Sequence, residues 1–424
     1  PHAPIALKAT MKSGHKAPPA VQNQTVTKNH QHLERALRTI PWASQTNAKR
    51  YGQDGIHERP AFIKRAKSCR MWDLNDRAYI DYRAALGPII LGYQYPEVDE
   101  AVRKQMELGT LFSMSSPIEA EASEKILQTL GWAEKIRFMK TGADACTCCV
   151  RLARSKTQRD HILTIGYHGY HDWFAFQWPK PGVPDSLKNY IHEVAYGDMD
   201  AIDMVFAEFG SQLAAAITVP LEWHLNPDPA FLQKLRDKCT EFGTALIFDE
   251  VLTGFRMGKA GAVDYFGIVP DMAAYAKGIA NGYPLSAYTG TDEWMNTLDQ
   301  TIITTTYAGE TLSLAASIAV MDIFQREPVH EHIQKMGLRL RRGFESIFKE
   351  TQFPATTIGV DQGAVIDFSP AGEQFDELHC KLFNSLYKQG IFANDQWFIT
   401  YSHQEEDIDE TLDAMRKAVI ATGD

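Results

Sequence analysis

The chain has 424 residues, 44% of them hydrophobic, enough for a large core and two or three domains. Its 43 Lys and Arg against 53 Asp and Glu give a formal charge of -10, so neither nucleic acid nor an anionic membrane is expected as a partner. No apolar run approaches the ~18 to 20 residues of a membrane span, and six cysteines without a paired framework fit a reducing, cytoplasmic setting.

Residues 1–40 read as a basic arm. The first fifty residues hold eight Lys/Arg, four His and a single acid, Glu34, with Pro4, Pro18 and Pro19 among polar neighbours, which predicts a loosely structured segment. Such a start also suits the remnant of an organelle-targeting segment, or an arm packed on a partner subunit. Residues 41–84 contain "MWDLNDRAYIDY", a hairpin pattern around Asn75-Asp76, and are expected to join a smaller C-terminal domain.

From 85 to 330 short β-rich runs alternate with helical patterns, the signature of a mostly parallel sheet covered by helices in one large α/β domain. The strand candidates are "KIRFMK", "HILTI", "AAAITVP", "TALIFDEV", "MAAYA" and "LSAYTG", with helices expected over 117–130, 144–156, 229–242 and 311–325. "CTCC" is read as packing rather than metal binding, because adjacent Cys148 and Cys149 would face different sides of a helix. Residues 331–424 begin with the Arg- and Leu-rich "HIQKMGLRLRRGFESIFKE" and continue in a mixed pattern suited to a smaller α+β domain.

The chemistry concentrates at strand ends. "ALIFDEV" closes on Asp249 and Glu250, and in open α/β sheets ligands bind at the carboxyl edge. Lys277 follows a small apolar run and precedes Gly278, Gly282 and Pro284, where its ammonium would have to shed water. Either the side chain escapes to solvent along its stem, or its amine is held neutral to react. A plain Asp249–Lys277 ion pair is one reading. The other gives them opposite ends of one cofactor ring, the carboxylate on a protonated pyridine nitrogen and the amine in a Schiff base with an aldehyde.

Such a cofactor carries a phosphate, and Thr141-Gly142-Ala143 offers a turn before a helix whose first N–H groups and positive dipole end suit an anion. Asp144 is read as favouring the helix start. In "IGYHGYHDW", Tyr167 could stack on a pyridine ring; His168 and His171 tempt a metal reading, but no ligand set of known spacing accompanies them, and no metal is expected. Thr306 in "TTTYAGETLS" is a second candidate phosphate contact.

Together these stretches resemble the class III aminotransferases of the fold-type I pyridoxal-phosphate enzymes, the group containing glutamate-1-semialdehyde aminomutase. The likeness spans about residues 60 to 345, with "KTGADA", "GYHG", "LIFDEVLTGFR", "AKGIANGYPLSAYTG" and "TYAGETLSLAA" in the family order. The resemblance implies that Lys277 forms the Schiff base, Asp249 partners the pyridinium, Tyr167 stacks on the ring, and Gly142 and Ala143 hold the phosphate. Thr306 matches a residue that reaches the phosphate from the neighbouring subunit, which implies a homodimer with shared sites. The substrates implied are a small amino donor and a keto or aldehyde acceptor.

The chain also departs from the pattern. Where many relatives have Glu-Pro it has Val219-Pro220, with Glu222 and His224 close behind as substitutes. The aminomutases resemble one another in a Gly-Ser-Trp-Gly-Pro stretch; here "RAALGP" puts Leu86 at the tryptophan position and Arg83 nearby, a changed substrate wall. Arg83, Arg256 and His171 are further candidates for holding a carboxylate or hydroxyl. An aminotransferase is therefore expected first, an aminomutase second, and a catalytically silent relative last, since Lys277 and Asp249 are both retained.

Overall fold

The computed structural model describes residues 28–52, 55–174 and 182–423. Most of the basic arm, 1–27, lies outside the described residues. Its end departs from the loose segment expected, because Lys28–Leu37 forms a helix that buries Ala36. The helix is held by Asn29 donating to Asp73 at 3.2 Å and by the edge of His32 against Phe62 at 4.7 Å. Contacts to distant residues supply what composition did not show.

Strands β1 (Ile63–Lys67), β2 (Arg70–Asp73) and β3 (Ala78–Asp81) form an antiparallel sheet, with Met71 opposite Tyr79 across the Asn75-Asp76 turn as the hairpin pattern predicts. The large sheet follows: β4 (Lys135–Met139), β5 (His161–Ile165), β6 (Ile191–Glu193), β7 (Leu213–Thr218), β8 (Ala245–Glu250), β9 (Met272–Tyr275) and β10 (Ser286–Gly290). In space the order is β4-β10-β9-β8-β7-β5-β6. β9, β8, β7, β5 and β6 run parallel, while β10 is antiparallel to both β4 and β9. Short, polar β6 escaped the sequence reading.

Every residue of β7, β8, β9 and β10 is buried, as expected of strands covered on both faces. The covering helices start and stop on local signals. Asp228 caps the helix Pro229–Phe242 by accepting from the Phe231 amide, Pro229 occupies its first position, and left-handed Gly243 ends it. In Gly142–Thr157 the cysteines Cys146, Cys148 and Cys149 are all buried, so both sides of that helix face protein rather than one facing solvent.

The C-terminal portion holds β11 (Thr356–Ile358), β12 (Gly363–Asp367), β13 (Ile391–Phe392) and β14 (Gln396–Phe398), with helices Val329–Thr351, Phe375–Lys388 and Glu405–Gly423. β11, β12 and β14 make a small antiparallel sheet, and β13 instead joins β3 in parallel, Ile391 beside Ile80. Side chains from both ends of the chain therefore share one continuous core around Tyr82, Phe344, Phe383 and Trp397.

Candidate active site

Parallel strands β8 and β9 end side by side, with Asp249 opposite Ala274 and Glu250 opposite Tyr275, so Lys277, just past β9, reaches the edge where Asp249 sits. β5 delivers the Gly166–His171 loop to this edge. β4 delivers Thr141, whose carbonyl accepts from Ser286 Oγ at 2.7 Å.

Asp249 is 5% exposed. Its Oδ2 pairs with His168 Nδ1 at 2.8 Å and its Oδ1 accepts from the Val251 amide at 3.0 Å. The His168 ring lies parallel to Trp173 and edge-on to Phe174, which fixes its plane. Cys146 completes a buried group with His168 and Asp249, its sulfur within 4.8 Å of their ligating atoms. Burial, reinforced by the charge of Asp249, pushes the Cys146 thiol well up. It is therefore suited to donating to the carboxylate rather than to binding a cation as thiolate. The sequence reading considered His168 only as a metal ligand and did not pair it with Asp249.

Lys277 has left-handed backbone geometry, φ 46°, a conformation that non-glycine residues adopt at a cost and that clusters at functional sites. Desolvation lowers its amine to about 8; Arg256 acts in the same direction, while Asp249 and Cys146 oppose it. Lys277 is half-buried, and an amine at about 8 is mostly protonated at neutral pH but gives up its proton far more readily than an ordinary lysine.

Thr141 caps the helix Gly142–Thr157 in a reciprocal box with Asp144, as Asp144's position predicts. The first-turn amides of Gly142 and Ala143 have no partner among the described residues, the usual condition at a helix start. The turn is shaped by close approach: a Cβ on Gly142 would lie 2.6 Å from Val251 Cγ2, and one on Gly169 would lie 2.4 Å from Ala143 Cβ. Val251 thus links the carboxylate, through its amide, to the turn, through its methyl groups. Tyr167 is 52% exposed and meets Phe174 edge-on at 5.6 Å, above the His168–Asp249 pair.

The remaining candidates are more scattered. Thr306 is exposed, on a loop whose Glu310 pairs with Lys140 at 2.9 Å; no contact joins Thr306 to Thr141–Ala143 among the described residues. Val219 packs on Gly166, where a Cβ would come within 2.3 Å of its Cγ2. Glu222 and His224 flank Trp223, whose ring stands edge-on to Phe398 at 5.5 Å; burial raises the Glu222 carboxyl and His224 opposes the rise. Arg83 is half-buried, its amide bonded to Asp81 at 2.8 Å, and it leads into Ala84, Ala85 and Leu86, all left-handed. His171 is turned to Thr147, 2.6 Å away, on the helix beyond the turn. Arg256, a candidate for holding a carboxylate or hydroxyl, lies in the turn after β8 yet is 1% exposed, and its terminal nitrogens donate to the carbonyls of Ile399 and Gly87.

This arrangement can hold a flat, phosphorylated, nitrogen-containing ring between an amine and a carboxylate. A family model described as aminotransferase class-III matches residues 51–419. Glutamate-1-semialdehyde 2,1-aminomutase of Aquifex aeolicus (strain VF5) is 32% identical over 423 residues, covering 92% of this chain and 99% of that protein. The FumI protein of Sphingopyxis sp. MTA144, solved in its PLP internal aldimine form, superposes with a TM-score of 0.85 at 27% identity, covering 93% of this chain and 96% of that one. An omega-transaminase from Sphaerobacter thermophilus has the same fold, with a TM-score of 0.87 at 21% identity over 94% of this chain and 98% of that chain.

Proposed function

The chain belongs to the class III aminotransferases, and from that premise we propose that Lys277, Asp249 and the Thr141–Ala143 turn are the working parts of its pyridoxal-phosphate-dependent transaminase site. The reaction moves an amino group from a donor to a keto or aldehyde acceptor. The observation that carries the assignment is the delivery of Lys277 and Asp249 by neighbouring strands to one edge, with burial lowering the lysine's amine to about 8.

The residues present fit the cofactor. Gly142 and Ala143 present unpartnered amides and a turn too tight for a further side chain, suited to a phosphate. When bound, pyridoxal phosphate supplies a carbonyl carbon that takes up the amino group and a ring that accepts electrons from the substrate carbon. Lys277 would hold it through its amine and would be placed to take and return the proton at the reacting carbon. Asp249, oriented by His168 and Val251, would hold a proton on the ring nitrogen. Tyr167 covers one face of the ring. Arg83, Glu222 and His224 belong to the substrate side.

The working unit is a homodimer whose protomers complete each other's sites, Thr306 reaching the partner's phosphate. Exposed apolar groups support this: Leu108 at 73%, Met114 at 82%, Ile302 at 85% and Tyr307 at 60%. The loops that carry them are tied by Thr311 donating to the Gly109 carbonyl at 2.8 Å. Mixing inactive Lys277→Ala and Thr306→Ala subunits restores activity if sites are shared.

The aminomutase reading is supported by relatives at 30 to 32% identity that are glutamate-1-semialdehyde 2,1-aminomutases, those of Aquifex aeolicus and Desulforamulus reducens among them. Leu86, standing where aminomutases resemble one another in a tryptophan, favours intermolecular transfer. Borohydride trapping followed by mass spectrometry tests the site: the reduced cofactor is expected on Lys277, and an adduct elsewhere or none at all refutes it. Turnover of a semialdehyde without added acceptor would select the mutase.

A further inference from the structure

Arg256 is a guanidinium at 1% exposure with no ion-pair partner among the described residues. Burying such a charge without a paired anion is expensive, and hydrogen bonds must offset the cost. Nη1 donates to the Ile399 carbonyl at 2.8 Å and Nη2 to the Gly87 carbonyl at 3.0 Å, and the group lies over the Phe398 ring at 4.8 Å. Phe255, just before it, is held in the left-handed region at φ 60°, and its carbonyl bonds His330 Nε2 at 2.9 Å. The backbone is thus set to aim Arg256 inward.

Its position explains the expense. Gly87 closes the strained loop Ala84–Leu86, and a Cβ there would lie 2.5 Å from Leu252 Cδ1 and 3.6 Å from Lys277 Cδ. Arg256 therefore fastens the strand of backbone that lies on the lysine stem, and fastens it to the segment after β14. The charged and titratable groups facing Lys277 are Asp249 and Cys146, which favour its protonation, and Arg256, which opposes it. Facing Arg256 are Lys277 and His403, whose imidazole is driven down to about 4, chiefly by burial, so neither supplies an anion.

We propose that Arg256 is a positioning residue for Lys277: it ties the Gly87 and Ile399 carbonyls together around the lysine stem, and its fixed charge disfavours a second cation at the reacting nitrogen. The proposal rests on the role given to Lys277 above. It assigns to Arg256 the electrostatic work that a neighbouring cation performs for activated lysines generally. It gives Arg256 a role apart from the substrate-carboxylate contact that the sequence suggests, one N–H of each terminal nitrogen being committed to a backbone carbonyl.

The test compares wild type, Arg256→Gln and Arg256→Lys after loading with pyridoxal phosphate, following the visible absorption against pH alongside kcat and KM for an amino donor. Loss of the charge in Arg256→Gln is expected to raise the spectral midpoint by about one pH unit, a tenfold gain in proton affinity. Arg256→Lys retains the charge but can tie only one carbonyl, so its midpoint stays at the wild-type value while KM rises severalfold. An Arg256→Gln midpoint equal to wild type overturns the proposal. So does an Arg256→Lys midpoint that moves, or an Arg256→Lys KM that does not, and this second variant decides the matter should Arg256→Gln fail to fold. Absence of a borohydride-trapped adduct on wild-type Lys277 would sink the site assignment and this proposal together. An adduct with unmoved midpoints sinks this proposal alone.

Discussion

Replacing Asp249 by Asn keeps the shape of the side chain and removes its charge. The wild-type carboxylate is 5% exposed and held by His168 at 2.8 Å and the Val251 amide at 3.0 Å, so it is a buried, oriented anion. Deleting one member of a buried charge pair typically costs about 3 to 5 kcal/mol. At ~1.36 kcal/mol per decade, an equal loss at the transition state slows the reaction by about two to four decades. His168→Phe, which fits beside Trp173 and Phe174, removes only one charge-assisted bond, worth about 1.5 to 3 kcal/mol, and should cost about one to two decades. The assay is single-turnover loss of the visible band on mixing the loaded protein with an amino donor, after checking that borohydride still places the cofactor on Lys277. An Asp249→Asn rate within tenfold of wild type, or a His168→Phe rate slower than that of Asp249→Asn, refutes the reasoning.

Gly142→Ala puts a methyl group 2.6 Å from Val251 Cγ2, so either the turn or Val251 must move. Overpacking of this kind costs about 1 to 3 kcal/mol, and fluorescence titration should show pyridoxal phosphate binding about five- to 150-fold more weakly. Glu250 gives a pH signature. Burial raises its carboxyl from 4.5 to about 8, against the lowering effect of hydrogen bonds from the Thr253 hydroxyl and the Ala262 amide. The folded protein thus keeps a proton that the unfolded chain releases, so this contribution to stability is full below 4.5 and is lost as pH rises through about 8. Glu250→Gln should flatten the melting temperature between pH 5 and 8 relative to wild type; an unchanged slope counts against it. In the cofactor-free protein Lys277 works in the opposite sense: its amine is lowered to about 8 from 10.5, so stability rises as pH climbs from 8 towards 10.5. Lys277→Met should abolish that rise, as calorimetry across this range would show.

Much of the large sheet was legible because its signals are local. Asp228, Pro229 and Gly243 bracket one helix, and the apolar run Ala245 to Phe248 ahead of Asp249 and Glu250 marks a strand buried on both faces. Lys277 and Asp249 could be singled out because charged groups at the ends of such runs need a reason to be there. The pairing of His168 with Asp249 was not legible, because 81 residues separate them and only the sheet order makes them neighbours. The burial of Arg256 was not legible for a related reason: arginine is usually solvated, and nothing adjacent to it announces the carbonyls of Gly87 and Ile399. The helix Lys28–Leu37 was hidden by composition, since it buries only Ala36.

The parallel pairing of β3 with β13 has a consequence for biogenesis. The carbonyl of Lys388 that receives the Arg77 side chain is 311 residues further along, so the N-terminal hairpin leaves the ribosome long before its outer neighbour is made. Throughout translation β3 presents an open edge able to recruit another nascent chain. A transcript truncated ahead of Ile391 would leave that vulnerability permanent, yielding inclusion bodies rather than a shorter soluble product.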